Sequence, residues 1–250
     1  MFAAIESALI ENSIGMKRVI VQSQDAVTVV GGGPVTRRDL AFAMARAPVV
    51  VAADGGADRV LAAGVMPEAV IGDFDSVSQT ALAAIPAERR FRIAEQESTD
   101  FAKALRSIDA PFVLALGVTG ARLDHELAAF NILVRHRGPP CILIGSRDVV
   151  FQAPQTMTLH LKVEDRLSLF PMAAVQGRCR GLLWPIDGLQ FAPGGRIGTS
   201  NRVSEREVEL HFDQPGMLVI LPRARLDGVI SALVPQWRGP RRAPPGARGG

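Results

Sequence analysis

From residue 25 to residue 145, short runs of β-branched and apolar residues alternate with stretches whose apolar residues recur every three or four positions. "AVTVVGGG", "APVVVAADGG", "EAVIGDFDS", "RFRIAEQES", "PFVLALGVTG" and "CILIGS" read as strands, with five helical stretches between them. Such alternation yields parallel βαβ units with helices on both faces of one sheet. Thr36 precedes "RRDLAFAMARA" as a helix N-cap, with Leu40, Ala41, Met44 and Ala45 expected on the inner face. Gly64 stands where the helix of "ADRVLAAG" ends, and Ser98 or Thr99 caps a helix opening near Asp100.

Beyond residue 150 the apolar period falls to two. "QTMTLHLKV" aligns Met157, Leu159, Leu161 and Val163, while "EVELHF" sets Val208, Leu210 and Phe212 against Glu207, Glu209 and His211. The "DQPG" turn at 213–216 then predicts a hairpin between "EVELHF" and "MLVIL", and no helix is expected between Val150 and Pro235. The expected architecture is α/β. A parallel doubly wound sheet domain over 16–145 is followed by a smaller all-β antiparallel sandwich domain over 146–236.

Charge and cysteine content narrow the partners. The formal net charge is +3, but the last fourteen residues, "WRGPRRAPPGARGG", carry Arg238, Arg241, Arg242 and Arg248, without which the remainder stands at −1. Residues 237–250 therefore read as a disordered basic tail on a nearly neutral body, which gives no reason to expect nucleic acid as a partner. No apolar stretch approaches the roughly 20 residues that cross a bilayer, so a cytoplasmic protein with no membrane partner is expected. Cys141 and Cys179 have no histidines at metal-ligand spacing and read as reduced.

In a doubly wound sheet, ligands bind beyond the carboxyl ends of the strands. Five polar or glycine-rich clusters fall there: Gly31-Gly32-Gly33, Asp54-Gly55-Gly56, Gly72 to Ser76, Glu95 to Asp100, and Gly117 to His125. Asp73 and Asp75, two apart, share one side if the chain stays extended, with Phe74 turned inward between them, and Asp54 and Asp100 can join them. Such carboxylates suit a hard cation such as Mg²⁺; read blandly, Asp73 and Asp75 are only turn residues. The triple glycine either brings backbone N–H groups to phosphate or is only a tight turn. Asp100 and Lys103, three apart on a helix, are either a metal ligand with a phosphate-neutralising cation or a cap with a surface ion pair. Arg122 suits a phosphate, and His125 in the same helical turn suits hydrogen bonding.

Taken together, "ADGGA", "PEAVIGDFDS", "EQESTDFAKAL", "GVTGARLDH", "LSLFP", "GLLW" and "GTSN" resemble the thiamine pyrophosphokinase family, in family order across roughly residues 26 to 222. The resemblance implies that pyrophosphate passes from ATP to the hydroxyl of thiamine, giving thiamine diphosphate and AMP. It implies that Asp73, Asp75 and Asp100 hold Mg²⁺, that Gln96, Thr99, Lys103 and Arg122 meet the phosphates, and that Asp54, Gly55, Gly56, Asp124 and His125 shape the nucleotide pocket. It places Trp184, Ser200 and Asn201 on thiamine, in a homodimer with thiamine near the interface. The chain departs from the family at Glu95-Gln96-Glu97, where Asp-Gln-Asp is common, and at Ala121, where a second glycine is common. Transfer to another alcohol such as a hydroxymethylpterin, or nucleotide binding without turnover, are the alternatives.

Overall fold

A computed structural model describes residues 19–240. Its first half runs β1 (Val21–Gln22), β2 (Val27–Val30), α1 (Arg37–Met44), β3 (Val49–Ala53), α2 (Gly56–Ala62), β4 (Ala69–Gly72) and α3 (Gln79–Ala84). It continues through β5 (Arg90–Arg92), α4 (Asp100–Arg106), β6 (Ile108–Asp109), β7 (Val113–Leu116), α5 (Leu123–Arg135) and β8 (Cys141–Ile144). The second half holds β9 (Asp148–Gln152), β10 (Thr156–His160), β11 (Arg166–Pro171), β12 (Val175–Arg180), β13 (Gln190–Phe191), β14 (Gly198–Arg202), β15 (Glu207–Phe212), β16 (Met217–Pro222) and α6 (Leu226–Leu233).

Alternate residues of the central strands enter two separate cores. Val30, Val50, Ala52 and Val70 pack on one face with Leu40, Val60 and Ala81 of α1 to α3. Val29, Val51, Ala53 and Ile71 pack on the other with Ala104, Leu105, Ala129 and Leu133 of α4 and α5. Strands buried on both faces need the near-continuous apolar runs seen in the sequence. The parallel strands lie in the order β8-β7-β2-β3-β4-β5. From β2 the chain winds outward through β3, β4 and β5, then returns to β7 on the other side of β2. The crevice between the ends of β2 and β7 is thus the topological switch point, where open α/β sheets bind ligands.

The large sheet does not stop at the change of period. β9 pairs antiparallel with β8, and β16, β11 and β14 extend the same sheet to ten strands. A second sheet, β10-β15-β12-β13, packs its apolar side against this extension, with Leu159, Val208 and Leu210 meeting Leu167, Leu169 and Val219 in one core.

Several expectations are corrected. "EVELHF" and "MLVIL" are not a hairpin. β15 lies between β10 and β12, whereas β16 lies between β11 and β9, so the 213–216 turn carries the chain from one sheet to the other. A helix, α6, follows β16 where none was expected. Leu226, Val229 and Ile230 have helical spacing, but the β-branched residues and Gly228 weaken the helical signal of the segment. The buried face of α1 is Leu40 and Ala43, continued by Ala47, with half-buried Met44 packed on the same core as expected, whereas Ala41 is exposed. Val163 lies beyond the end of β10 and is exposed. Trp237, assigned to the tail, meets the Phe112 ring edge-on at 6.3 Å between centroids, so the packed chain extends at least that far. The rest of the tail from residue 241 lies outside the described residues.

Candidate functional site

A cavity of about 800 Å³ opens at the switch point, lined by the ends of β2, β3, β4 and β7 and the loops that follow them. All five sequence clusters contribute. Asp54, Gly55, Asp73, Asp75, Gln96, Thr99, Asp100, Lys103, Arg122 and His125 line it, together with Gly31, Gly32 and Gly33. Gly56, Asp124, Trp184, Ser200 and Asn201 are not among its lining residues.

The glycines explain how the backbone closes around the cavity. A Cβ on Gly56 would stand 1.9 Å from the Val30 carbonyl oxygen, so α2 can start against β2 only with glycine there. A Cβ on Gly72 would meet Asp54 Cβ at 2.8 Å and Asp100 Oδ1 at 3.1 Å, which brings two acidic residues together over the end of β4. Asp54 itself has φ +43° and Phe74 has φ +68°. An aspartate enters the left-handed region more readily than most residues, and Phe74 is held there by packing its ring on the core. The strand does not remain extended through "GDFDS", as the sequence suggested. The Phe74 turn folds Asp75 back, so that its N–H points to Asp73 Oδ1 at 3.3 Å.

This turn gathers three carboxylates. Asp54, Asp73 and Asp75 each offer an oxygen, and these lie within 4.8 Å of one another. Asp54 is buried. Its Oδ2 accepts the Ser76 N–H at 3.0 Å, but Oδ1 has no hydrogen-bond partner among the described residues, an expensive state for a buried polar atom. Burial, with Asp75 and Asp100 nearby, pushes its carboxyl up to about 6. A cradle of converging carboxylates with one orphaned oxygen fits a divalent cation with oxygen ligands.

Lys103 is fully buried, and its Nζ lies 3.0 Å from both Asp73 Oδ2 and Asp100 Oδ1. Burial alone would lower its affinity for the proton, but the two carboxylates raise it above the ordinary lysine value. Lys103 in turn holds the Asp73 carboxyl below its usual range, helped by Gln96 Nε2 at 3.2 Å. The i, i+3 pair on α4 is therefore an interior ion pair rather than a surface one. Thr99 is the cap of α4, accepting from the Ala102 N–H at 3.3 Å. Arg122 and Asp124 are exposed and paired at 2.6 Å.

Glu95 explains one departure from the family pattern. Its carboxylate accepts from the N–H groups of Glu97 and Ser98 at 2.8 and 3.1 Å, from the Ser98 hydroxyl, and from Arg106 Nη2 at 2.7 Å. Partial burial opposes ionisation, yet these donors hold it down to about 2. Glu95 thus braces the loop carrying Gln96 and Thr99 and does not line the cavity.

In the second half, Asn201 is buried and spans the Trp184 backbone, accepting from its N–H at 3.2 Å and donating to its carbonyl at 2.7 Å. Trp184 is half exposed, with the Arg202 guanidinium 5.8 Å from its ring centroid. Ser200 has φ +62° and donates its N–H to Ser168 Oγ at 3.0 Å.

Family models described as "Thiamin pyrophosphokinase, catalytic domain" and "Thiamin pyrophosphokinase, vitamin B1 binding domain" match residues 41–143 and 156–217. The chain belongs to the thiamine pyrophosphokinase family. Thiamine pyrophosphokinase 1 of Oryza sativa subsp. japonica is 28% identical over 202 residues, covering 67% of this chain and 76% of that protein. Thiamine pyrophosphokinase 3 of the same plant is 28% identical over 194 residues, covering 64% and 73%. Thiamin pyrophosphokinase from Candida albicans shares the fold, with a TM-score of 0.69 and 16% identity over 82% of this chain and 93% of that one. The family member from Geobacillus thermodenitrificans does so with a TM-score of 0.65 and 23% identity over 79% and 96%.

Sequence reasoning overlooked three polar cavity residues, Asp58, Arg59 and Ser78. Asp58 Oδ2 accepts the Ser78 N–H at 3.0 Å and Oδ1 accepts its hydroxyl, tying the start of α3 to α2. The signal available was position: Asp58 sits in the first turn, and Arg59 follows it, in a short helix that opens at a strand's carboxyl end.

Proposed function

We propose that this member of the thiamine pyrophosphokinase family transfers pyrophosphate from ATP to the hydroxyl of thiamine, forming thiamine diphosphate and releasing AMP. The observation that carries this reading is the group of Asp54, Asp73 and Asp75 at the switch point, beside a buried lysine. Asp73 and Asp75, joined by Asp54 and with Asp100 next to them, would hold Mg²⁺. When bound, the cation supplies charge neutralisation that lets a polyphosphate enter a site rich in carboxylates. The remaining work falls to the chain. Phosphoryl transfer is mostly positioning and electrostatics, and an ordered cavity wall supplies both. Lys103, fixed by Asp73 and Asp100, places one cation without entropy to lose. Gln96 and Thr99 orient phosphate oxygens, and Arg122 turns from Asp124 toward them. Gly55 and His125 complete the nucleotide pocket, while Gly56 and Asp124 act from outside its lining, one letting α2 start against β2 and the other holding Arg122. A carboxylate of the acidic group takes the hydroxyl proton as the oxygen attacks the β-phosphorus.

Trp184, Ser200 and Asn201 would meet thiamine from outside the nucleotide cavity. The exposed Leu183, Trp184 and Ile197 support a homodimer in which these residues reach a partner's site. The units 16–145 and 146–236 would then divide nucleotide from thiamine binding. Two free thiols, Cys141 and Cys179, agree with a cytoplasmic setting, and no helix among the described residues is long and apolar enough to cross a membrane.

Incubation with thiamine, ATP and Mg²⁺, followed by separation of the nucleotide products, tests the reading. Stoichiometric AMP and thiamine diphosphate are expected. ADP would mean single-phosphate transfer, and thiamine-independent turnover or none would overturn the proposal.

A further inference from the structure

We propose that Gly32 and Arg59 form a phosphate subsite on the cavity wall formed by the loop after β2, holding an oxyanion of the nucleotide's triphosphate. The inference rests on the nucleotide-dependent reading above.

The three glycines after β2 are not equivalent. A Cβ on Gly31 or Gly33 would stand 2.7 or 2.6 Å from the Gly117 carbonyl oxygen, so packing demands glycine at both. Their N–H groups are also spent, donating to the carbonyls of Leu116 and Gly117 at 2.8 and 2.9 Å, so at these two positions the tight turn is what the glycines serve. At Gly32 the nearest atom to a Cβ is Gly55 C at 3.8 Å, an ordinary contact, and the residue has no left-handed φ. Nothing in the chain's own packing calls for glycine there. What a side chain would fill is cavity, since Gly32 lines it.

Arg59 supplies the second, independent observation. Among the cavity-lining lysines and arginines, Lys103 is held by two carboxylates and Arg122 by Asp124, whereas no ion pair from the described residues engages Arg59. Its Nε and Nη2 each lie 3.4 Å from the Gly32 carbonyl oxygen, at the long limit of hydrogen bonding. Moving it from a distant neutral acceptor to an anion exposes no charge, whereas moving Lys103 would strand Asp73 and Asp100. A guanidinium presents paired N–H donors that match a phosphate's oxygens, and α2 fixes its backbone at the rim. The space left open at Gly32 and the unpaired guanidinium above it therefore meet at one place, and a triphosphate is the anion that the cavity is built to admit.

The test measures Mg·ATP binding calorimetrically without thiamine, then steady-state kinetics with each substrate varied, for Arg59→Ala, Arg59→Lys and Gly32→Ala. Arg59→Ala is expected to weaken Mg·ATP binding roughly tenfold or more, with Arg59→Lys intermediate and KM for thiamine within about twofold of wild type. Gly32→Ala is expected to keep the wild-type Tm and still lose Mg·ATP affinity. Folded Arg59→Ala and Gly32→Ala proteins that bind Mg·ATP as wild type does would overturn the subsite. Should Arg59→Ala fail to fold, Arg59→Lys and Gly32→Ala decide by the same comparison. Mg·ATP binding that depends on Arg59 without any thiamine turnover would sustain the subsite and overturn the pyrophosphokinase reading. Thiamine turnover with affinity indifferent to Arg59 would do the reverse, and a wild-type protein that binds no Mg·ATP overturns both.

Discussion

Asp73 is held by Lys103 Nζ, Gln96 Nε2 and the Asp75 N–H, whereas the exposed Asp75 side chain accepts, among the described residues, from the Ser76 hydroxyl at 2.7 Å. That difference separates chemistry from stability. Asp75→Asn is expected to abolish AMP formation while leaving urea unfolding of the metal-free protein unchanged. Asp73→Asn is expected to abolish it too, but also to destabilise the metal-free protein by about 1–3 kcal/mol, because buried Lys103 loses one of its two partners. Equal unfolding midpoints for the two variants would remove Lys103 from this account. Glu95 offers a test by pH. Its carboxyl is held down to about 2 in the folded chain, against an ordinary value near 4.5, so its contribution is complete above that ordinary value and is lost as pH falls toward 2. Glu95→Gln should lower stability at pH 7 by at most about 1 kcal/mol, given the partial exposure, and the gap from wild type should close in acid.

At the level of elements, helix starts and stops were written locally. Thr36 and Asp39 form a reciprocal capping box, Ser78 and Thr99 cap α3 and α4, and Gly64 follows α2 with φ +80°. These depend on a few adjacent residues, so the sequence displayed them. α6 was not legible, because its helical face becomes distinct only when Leu226, Val229 and Ile230 find a core to enter. It is fastened to the first half by Asp227, whose carboxylate meets the Arg46 guanidinium at 2.5 and 3.0 Å. Ile230→Ala should therefore cost about 2–5 kcal/mol in equilibrium unfolding, the range of a buried aliphatic deletion. Asp227→Ala should cost less, since that side chain remains half exposed.

For the whole molecule, the continuous ten-stranded sheet makes the two halves share a backbone ladder through β8 and β9. Cooperative unfolding in one transition is the expected outcome, and two separated calorimetric transitions would contradict it. Mg²⁺ should raise Tm in a concentration-dependent way by mass action, and chelation should reverse the rise together with turnover. Trp184→Ala is expected to raise KM for thiamine with Mg·ATP affinity unchanged, read from kinetics and from binding measured separately.

The sequence alone determined the order of the six parallel strands and five helices in the first half, though not the two-residue pair β1 and β6, and the strand ends at which the polar clusters gather around one cavity. Apolar period, caps and turn glycines act over a few residues, so they leave a local trace. Only the tertiary structure decided that β15 and β16 part into different sheets, since strand partners are chosen by distant segments competing for the same edges. It also fixed how Asp54, which the sequence allowed to join Asp73 and Asp75, meets them: through a left-handed Phe74 and a glycine at 72 whose missing Cβ leaves room for two acids. A separation of 27 residues likewise hid the approach of Arg59 to Gly32, because a contact between a helix and a strand-end loop exists only after the sheet has placed them side by side.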